Sequence, residues 1–144
     1  MGTILAVCVS DKKGVSKKPV VEGVIKEKYG IIGDAHAGSD SLRQVSLLDK
    51  KSIDKMKNMG IELKDGDFGE NIVTEGINLL SLPIGSRLAT ESGVILEVTQ
   101  IGKECHDRCA IYQQVGTCIM PTEGIFTRVL KGGVVKKGDK IKVA

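Results

Sequence analysis

Aromatic side chains are nearly absent from this chain of 144 residues: they make up 3%, and there is no tryptophan. Binding of single-stranded nucleic acid without sequence preference relies on stacking bases against aromatic rings, and too few rings are present to build such platforms. A strong charge of one sign is also missing. The 21 basic and 18 acidic residues leave a formal net charge of +3. That excess suits a local pocket for an anionic small molecule and falls short of the clustered charge of a duplex-binding face. No apolar run is long enough to span a bilayer. Thr3–Val9 is apolar but short, and no basic residues precede it, so it reads as a strand and not as a signal peptide. Met1-Gly2 opens like an N-myristoylation signal, but Ala6 stands where Ser or Thr is expected. These absences lead us to expect a cytoplasmic protein with no nucleic-acid or membrane partner. Its four cysteines are then expected to be reduced and not bridged.

Glycine is plentiful, at 18 residues against 3 prolines. The glycines separate short apolar runs, a pattern of many turns and many strands. Strands are expected at Ile4–Val9, loosely over Val20–Lys28, at Arg43–Leu48, Ile72–Thr74, Arg87–Thr90, Val94–Thr99 and Lys140–Val143. Arg87–Thr90 and Val94–Thr99 flank Glu91-Ser92-Gly93 as a hairpin. One helix is expected over Ser52–Met59, with Asp49 or Ser52 as its cap, an apolar stripe of Ile53, Met56 and Met59, and Gly60 as terminator. A second is expected over Glu123–Leu130, with Phe126, Val129 and Leu130 as its stripe and Gly132-Gly133 at its end. The length suits one domain, 1–144, and the strand-rich pattern points to a mainly β fold, a closed or partly open β-barrel with a few short helices.

Chemistry concentrates in Gly102-Lys103-Glu104-Cys105-His106-Asp107-Arg108-Cys109. A thiolate is the reactive form of cysteine, and Lys103, Arg108 and His106 place positive charge beside two sulfurs, which favours it. The same segment, with Cys118, offers zinc ligands, although the Cys-x3-Cys spacing departs from paired Cys-x2-Cys units. A second constellation, Gly33-Asp34-Ala35-His36-Ala37-Gly38 followed by Arg43-Gln44, reads two ways. Its glycine-flanked amides and the Arg43 fork suit a phosphate, or it is a tight loop braced by Asp34 and His36. Asp67-Phe68-Gly69-Glu70-Asn71 reads chiefly as a turn capped by its own side chains. Lys12 through Pro19 reads as a charged loop.

Taken in order, Gly33-Asp34-Ala35-His36-Ala37-Gly38, Arg43-Gln44-Val45-Ser46, Gly69-Glu70-Asn71-Ile72, Ile84-Gly85 and Arg108-Cys109 resemble the MOSC domains found at the C-terminus of molybdenum-cofactor sulfurases. Cys118-Ile119-Met120-Pro121 and Glu123-Gly124-Ile125-Phe126 resemble the short bacterial branch. The resemblance implies a barrel of the pyruvate-kinase type and binding of the molybdenum cofactor, molybdopterin. It implies Cys109 as catalytic thiolate and metal ligand, with Gly33, Asp34, His36, Arg43, Asn71 and Arg108 around the cofactor. It admits a small molybdenum-dependent reductase that takes electrons from an electron-transfer partner. As the alternative, it admits a sulfur carrier that accepts persulfide sulfur from a cysteine desulfurase and delivers it to metal-sulfur cofactors, with pyridoxal phosphate supplied only by that partner.

Overall fold

The computed structural model describes residues 2–12, 15–58, 60, 62–102 and 124–144. Eleven strands are described: β1 Gly2–Val9, β2 Lys18–Val20, β3 Glu22–Lys26, β4 Gly30–Ile31, β5 Val45–Asp49, β6 Ile72–Glu75, β7 Arg87–Thr90, β8 Ile95–Ile101, β9 Ile125–Lys131, β10 Gly133–Lys136 and β11 Lys140–Val143. One α-helix, α1 Lys50–Lys57, and a 3₁₀ turn at Leu79–Ser81 complete the elements.

Seven strands run β11-β7-β8-β9-β5-β6-β1, and β1 pairs back onto β11 through Gly2↔Ile141 and Thr3↔Lys140, which closes a barrel. β2 adds to the outer flank of β1, and β10, β3 and β4 form a separate small sheet. β5 and β6 pair in parallel. A parallel pair needs a crossover connection, and α1 lies within it.

The barrel interior is filled by side chains from all seven strands, among them Ile4, Leu47, Ile72, Leu88, Leu96, Val129 and Ile141. Ile25, Ile31 and Val135 of the small sheet join that core. A register shift between Ile4 and Ala6 in β1 turns Ala6 and Cys8 to the other face. There they meet Leu48, Val73, Phe68 and Phe126, with Ile53 and Met56 of α1 packed over them. Burying side chains of this size contributes about 1.5–3 kcal/mol each, which holds an eight-residue helix that would not persist alone.

The expected barrel and the expected strands are present. Two expectations about helices are corrected. α1 begins at Lys50, ahead of the expected Ser52, because Asp49 is the residue that caps it: its carboxylate accepts the Lys51 amide at 3.0 Å. Met59 lies outside the described residues. The second expected helix is a strand from Ile125 onward, β9, paired with both β8 and β5. Ile125 and Val129 face the barrel interior and Phe126 packs on the outer cluster. A strand buried on both faces loses its period-two signature, and its apolar residues then fall at spacings that imitate a helical stripe. Gly132-Gly133 accordingly end no helix, since Gly133 opens β10.

Candidate functional site

The first cluster forms where β1 ends and the 33–38 loop crosses it. The Ser10 amide donates to Asp34 Oδ1 at 3.1 Å, and the Ala35 amide donates to the Ser10 carbonyl at 2.7 Å. Lys17 reaches into this crossing with its side chain fully buried. Its Nζ donates to Asp34 Oδ1 at 2.7 Å, to Ser10 Oγ at 3.1 Å and to His36 Nδ1 at 3.0 Å. Asp34 Oδ2 accepts the His36 amide at 3.1 Å. The chain can enter so deeply because residue 66 is glycine. A Cβ there would collide with the Lys17 carbonyl, and the φ of +90° is costly for other residues. The Lys17 amide in turn donates to the Gly66 carbonyl at 2.7 Å. Gly33 also has positive φ, +91°, and no described residue lies within 4 Å of where its Cβ would be.

The second cluster lies at the end of the same loop. Arg43 is exposed and its guanidinium lies over the Phe126 ring, 5.4 Å from the centroid. Arg43 Nε donates to Gln100 Oε1 at 2.9 Å, and Gln100 Nε2 donates to the Gly102 carbonyl at 2.8 Å. The Gly102 amide donates to the Gly124 carbonyl at 2.7 Å. Gly102 and Gly124, the described residues on either side of 103–123, are therefore adjacent, and Arg43 is tied to them through Gln100. Cys105, His106, Arg108, Cys109 and Cys118 lie in this segment, outside the described residues. Gln44 joins the two clusters to the barrel. Its Nε2 donates to the Gly38 carbonyl at 3.0 Å and its Oε1 accepts the Val129 amide at 2.9 Å.

Asn71 is held apart from both clusters. Its Oδ1 accepts the Ser46 amide at 3.0 Å and the Ser46 hydroxyl at 3.2 Å, and its Nδ2 donates to the Cys8 carbonyl at 3.0 Å. It thus braces β1 against β5, using both ends of its amide inside the fold. Beside it, Glu70 is fully buried. Oε1 accepts the Phe68 amide at 3.1 Å, while Oε2 has no hydrogen-bond partner among the described residues. Burial pushes the Glu70 carboxyl up to about 7, with nearby backbone amides working against the rise. Burial, reinforced by the negative charge of Glu70, raises the Cys8 thiol far above its ordinary value. Cys8 is therefore an inert core residue.

Among the described residues, no group of three or more His, Cys, Asp or Glu could hold a metal ion. Among them too, no helix is long and apolar enough to cross a membrane. Sequence reasoning missed Lys17, read as part of a charged loop, and the burial of Glu70. Neither position carries a local signal: a lysine among lysines and a glutamate in a glycine turn both read as solvated.

The MOSC domain matches residues 33–142, a span that contains the 33–44 loop, Glu70, Asn71 and β5 to β9. No curated protein matches the chain. Crystal structures that share the fold include these three. The YuaD protein of Bacillus subtilis has a TM-score of 0.82 at 22% identity, covering 99% of this chain and 96% of its own. YiiM of Geobacillus stearothermophilus has a TM-score of 0.74 at 19% identity, covering 100% and 75%. YiiM of Escherichia coli has a TM-score of 0.65 at 13% identity, covering 99% and 69%. With its closed barrel and a match over most of its length, the chain belongs to the MOSC domain family, which is associated with molybdenum-cofactor-related functions.

Proposed function

We propose that this chain binds a molybdopterin-type cofactor. Arg43, Arg108 and the 33–38 loop with His36 take its phosphate, the thiolate of Cys109 is the metal ligand, and the whole serves as a small reductase supplied with electrons by a partner. The observation that carries this reading is the tie from Arg43 through Gln100 to Gly102 and Gly124. It sets an exposed guanidinium at the root of the segment that holds Cys109. Nε is fixed by Gln100 and the fork is laid on Phe126, while the Nη nitrogens have no partner among the described residues. A fork held in this way loses little freedom on taking a phosphate. Gly33, with no described residue within 4 Å of where its Cβ would be, suits the same anion.

The donor set fits the metal only through residues 103–123. Cys8 is buried with its thiol pushed up, and the other described groups form no ligand cluster. Within 103–123, Lys103 and Arg108 favour a thiolate at Cys109. When bound, the cofactor supplies a redox centre at molybdenum; the chain's own residues hold it and orient it.

The test is the content of the full chain purified from a host that makes the cofactor. Molybdenum and pterin are expected at near-stoichiometric levels. Cys109→Ser should lose the molybdenum with the fold intact. Arg43→Ala should weaken cofactor retention roughly ten- to a hundred-fold, with only partial rescue by Arg43→Lys. Metal-free protein that acquires labile sulfur from a cysteine desulfurase overturns this reading in favour of a sulfur carrier. Zinc alone overturns it in favour of a structural site.

A further inference from the structure

Strand β8 places Leu96 and Val98 in the barrel interior. Strict alternation would send Gln100 after them, since every second side chain of a strand shares a face. The pairing with β9 breaks at that point. Val98 faces Thr127 and Gln100 faces Phe126, which leaves Thr99 as the extra residue of a bulge. A bulge re-aims a side chain. Gln100 thereby shares the outer face with its cross-strand partner Phe126 and meets Arg43 there. Its Nε2 donates to the Gly102 carbonyl, so the oxygen of the amide is the end that faces Arg43. The backbone around position 43 is pinned as well. The Thr99 hydroxyl lies against the carbonyls of Leu42 and Phe126. The Arg43 amide donates to Ser41 Oγ at 2.9 Å, and the Gln44 amide donates to the Thr127 carbonyl at 3.0 Å.

A guanidinium can meet two oxygens of an anion side-on, through Nε and one Nη, or end-on, through both Nη nitrogens. At Arg43 the Nε proton goes to Gln100 Oε1 at 2.9 Å, which closes the side-on edge, and one face of the group lies over Phe126. Arg128 makes the contrast. It uses its Nε and Nη2 on the Glu97 carboxylate, at 2.9 and 2.7 Å, and its charge is balanced there. Gln100 holds Nε as a neutral amide, and none of the ion pairs among the described residues includes Arg43. Arg43 is thus oriented without being neutralised. We infer that Gln100 is a positioning residue for Arg43: by holding Nε it fixes the guanidinium so that an oxyanion such as a phosphate group is received end-on, through the two Nη nitrogens. The ligand in this statement rests on the cofactor reading above; the hold on Nε does not.

The arginines of the chain are Arg43, Arg87, Arg108 and Arg128, so nitrogen NMR of arginine-labelled protein reads few signals, with Arg43→Lys assigning those of Arg43. In wild-type protein the Arg43 Nε–H should exchange slowly with water. Inorganic phosphate should shift the Arg43 Nη signals and leave Nε nearly in place. Gln100→Met removes the acceptor at similar length. Exchange at Nε should quicken and phosphate affinity should fall about tenfold, while the Arg128 Nε–H and the melting temperature stay as in wild type. Gln100→Glu returns an acceptor and should return slow exchange, with phosphate still weakened by the added charge. Fast exchange at Nε in wild type or in Gln100→Glu overturns the inference. So does a phosphate response centred on Nε, no phosphate uptake at Arg43, or unchanged affinity in Gln100→Met. A Gln100→Met chain that also loses the Arg128 signal has loosened β8 and β9 together, and that too overturns a role specific to Arg43. If phosphate binds end-on but the purified chain carries no molybdenum or pterin, the cofactor reading falls and the role of Gln100 stands.

Discussion

Glu70 shows how one buried group gives the protein a dependence on pH. Its carboxyl is raised from 4.5 to about 7 because burial penalises the charged form, and one of its oxygens has no partner among the described residues. The folded chain then holds a proton that the unfolded chain has released between those values. Stability contributed by the protonated group is full below about 4.5, falls as pH rises, and is lost once pH passes about 7. The total loss is on the order of 3 kcal/mol. Glu70→Gln keeps the shape without the ionisation. We expect urea denaturation of this variant to show greater stability than wild type at pH 8 and a flatter profile from pH 5 to 8. A profile as steep as wild type would assign the slope to another group.

At the scale of elements, the stretch before β5 matters more than its lack of regular structure suggests. Gln44 holds the 33–38 loop with one end of its amide and β9 with the other. Gln44→Ala leaves the buried Val129 amide without an acceptor and frees the Gly38 carbonyl. The expected cost is about 1–3 kcal/mol. Faster hydrogen exchange should appear at Val129 and across residues 34–38, and unchanged protection there would show that the loop is held by other bonds. β9 itself was misread for a reason that belongs to this scale. Its apolar residues serve two cores at once, Val129 the barrel and Phe126 the outer cluster under α1. Alternation marks a strand only when one face meets water.

For the molecule as a whole, closure is the decisive feature. β1 and β11 lie at opposite ends of the sequence, and their pairing through Gly2↔Ile141 removes the open edges of the seven-stranded sheet. Ile141 is fully buried in the interior. Truncation before Lys140 deletes a strand that serves β1 and β7 together, so we expect an aggregating chain without a cooperative melting transition. A truncated chain that melts cooperatively near the wild-type temperature would mean the barrel does not depend on closure.

Much of the architecture was legible in the residues themselves. The β7–β8 hairpin follows from apolar runs around Glu91-Ser92-Gly93, and α1 from the Asp49 cap and the Ile53–Met56 stripe. The ordered motifs from Gly33 to Cys109 carried the family. These signals are local, set by side-chain spacing and turn chemistry within a few residues. Tertiary structure alone decided the rest. Lys17 is buried because Asp34, Ser10 and His36 converge on it from elsewhere in the chain, and Gly66 leaves room for its backbone. Glu70 is fully buried with one oxygen unpartnered among the described residues because the fold closes over it. The fate of a charged side chain depends on which distant groups surround it, and the spacing of its neighbours in sequence carries no record of them.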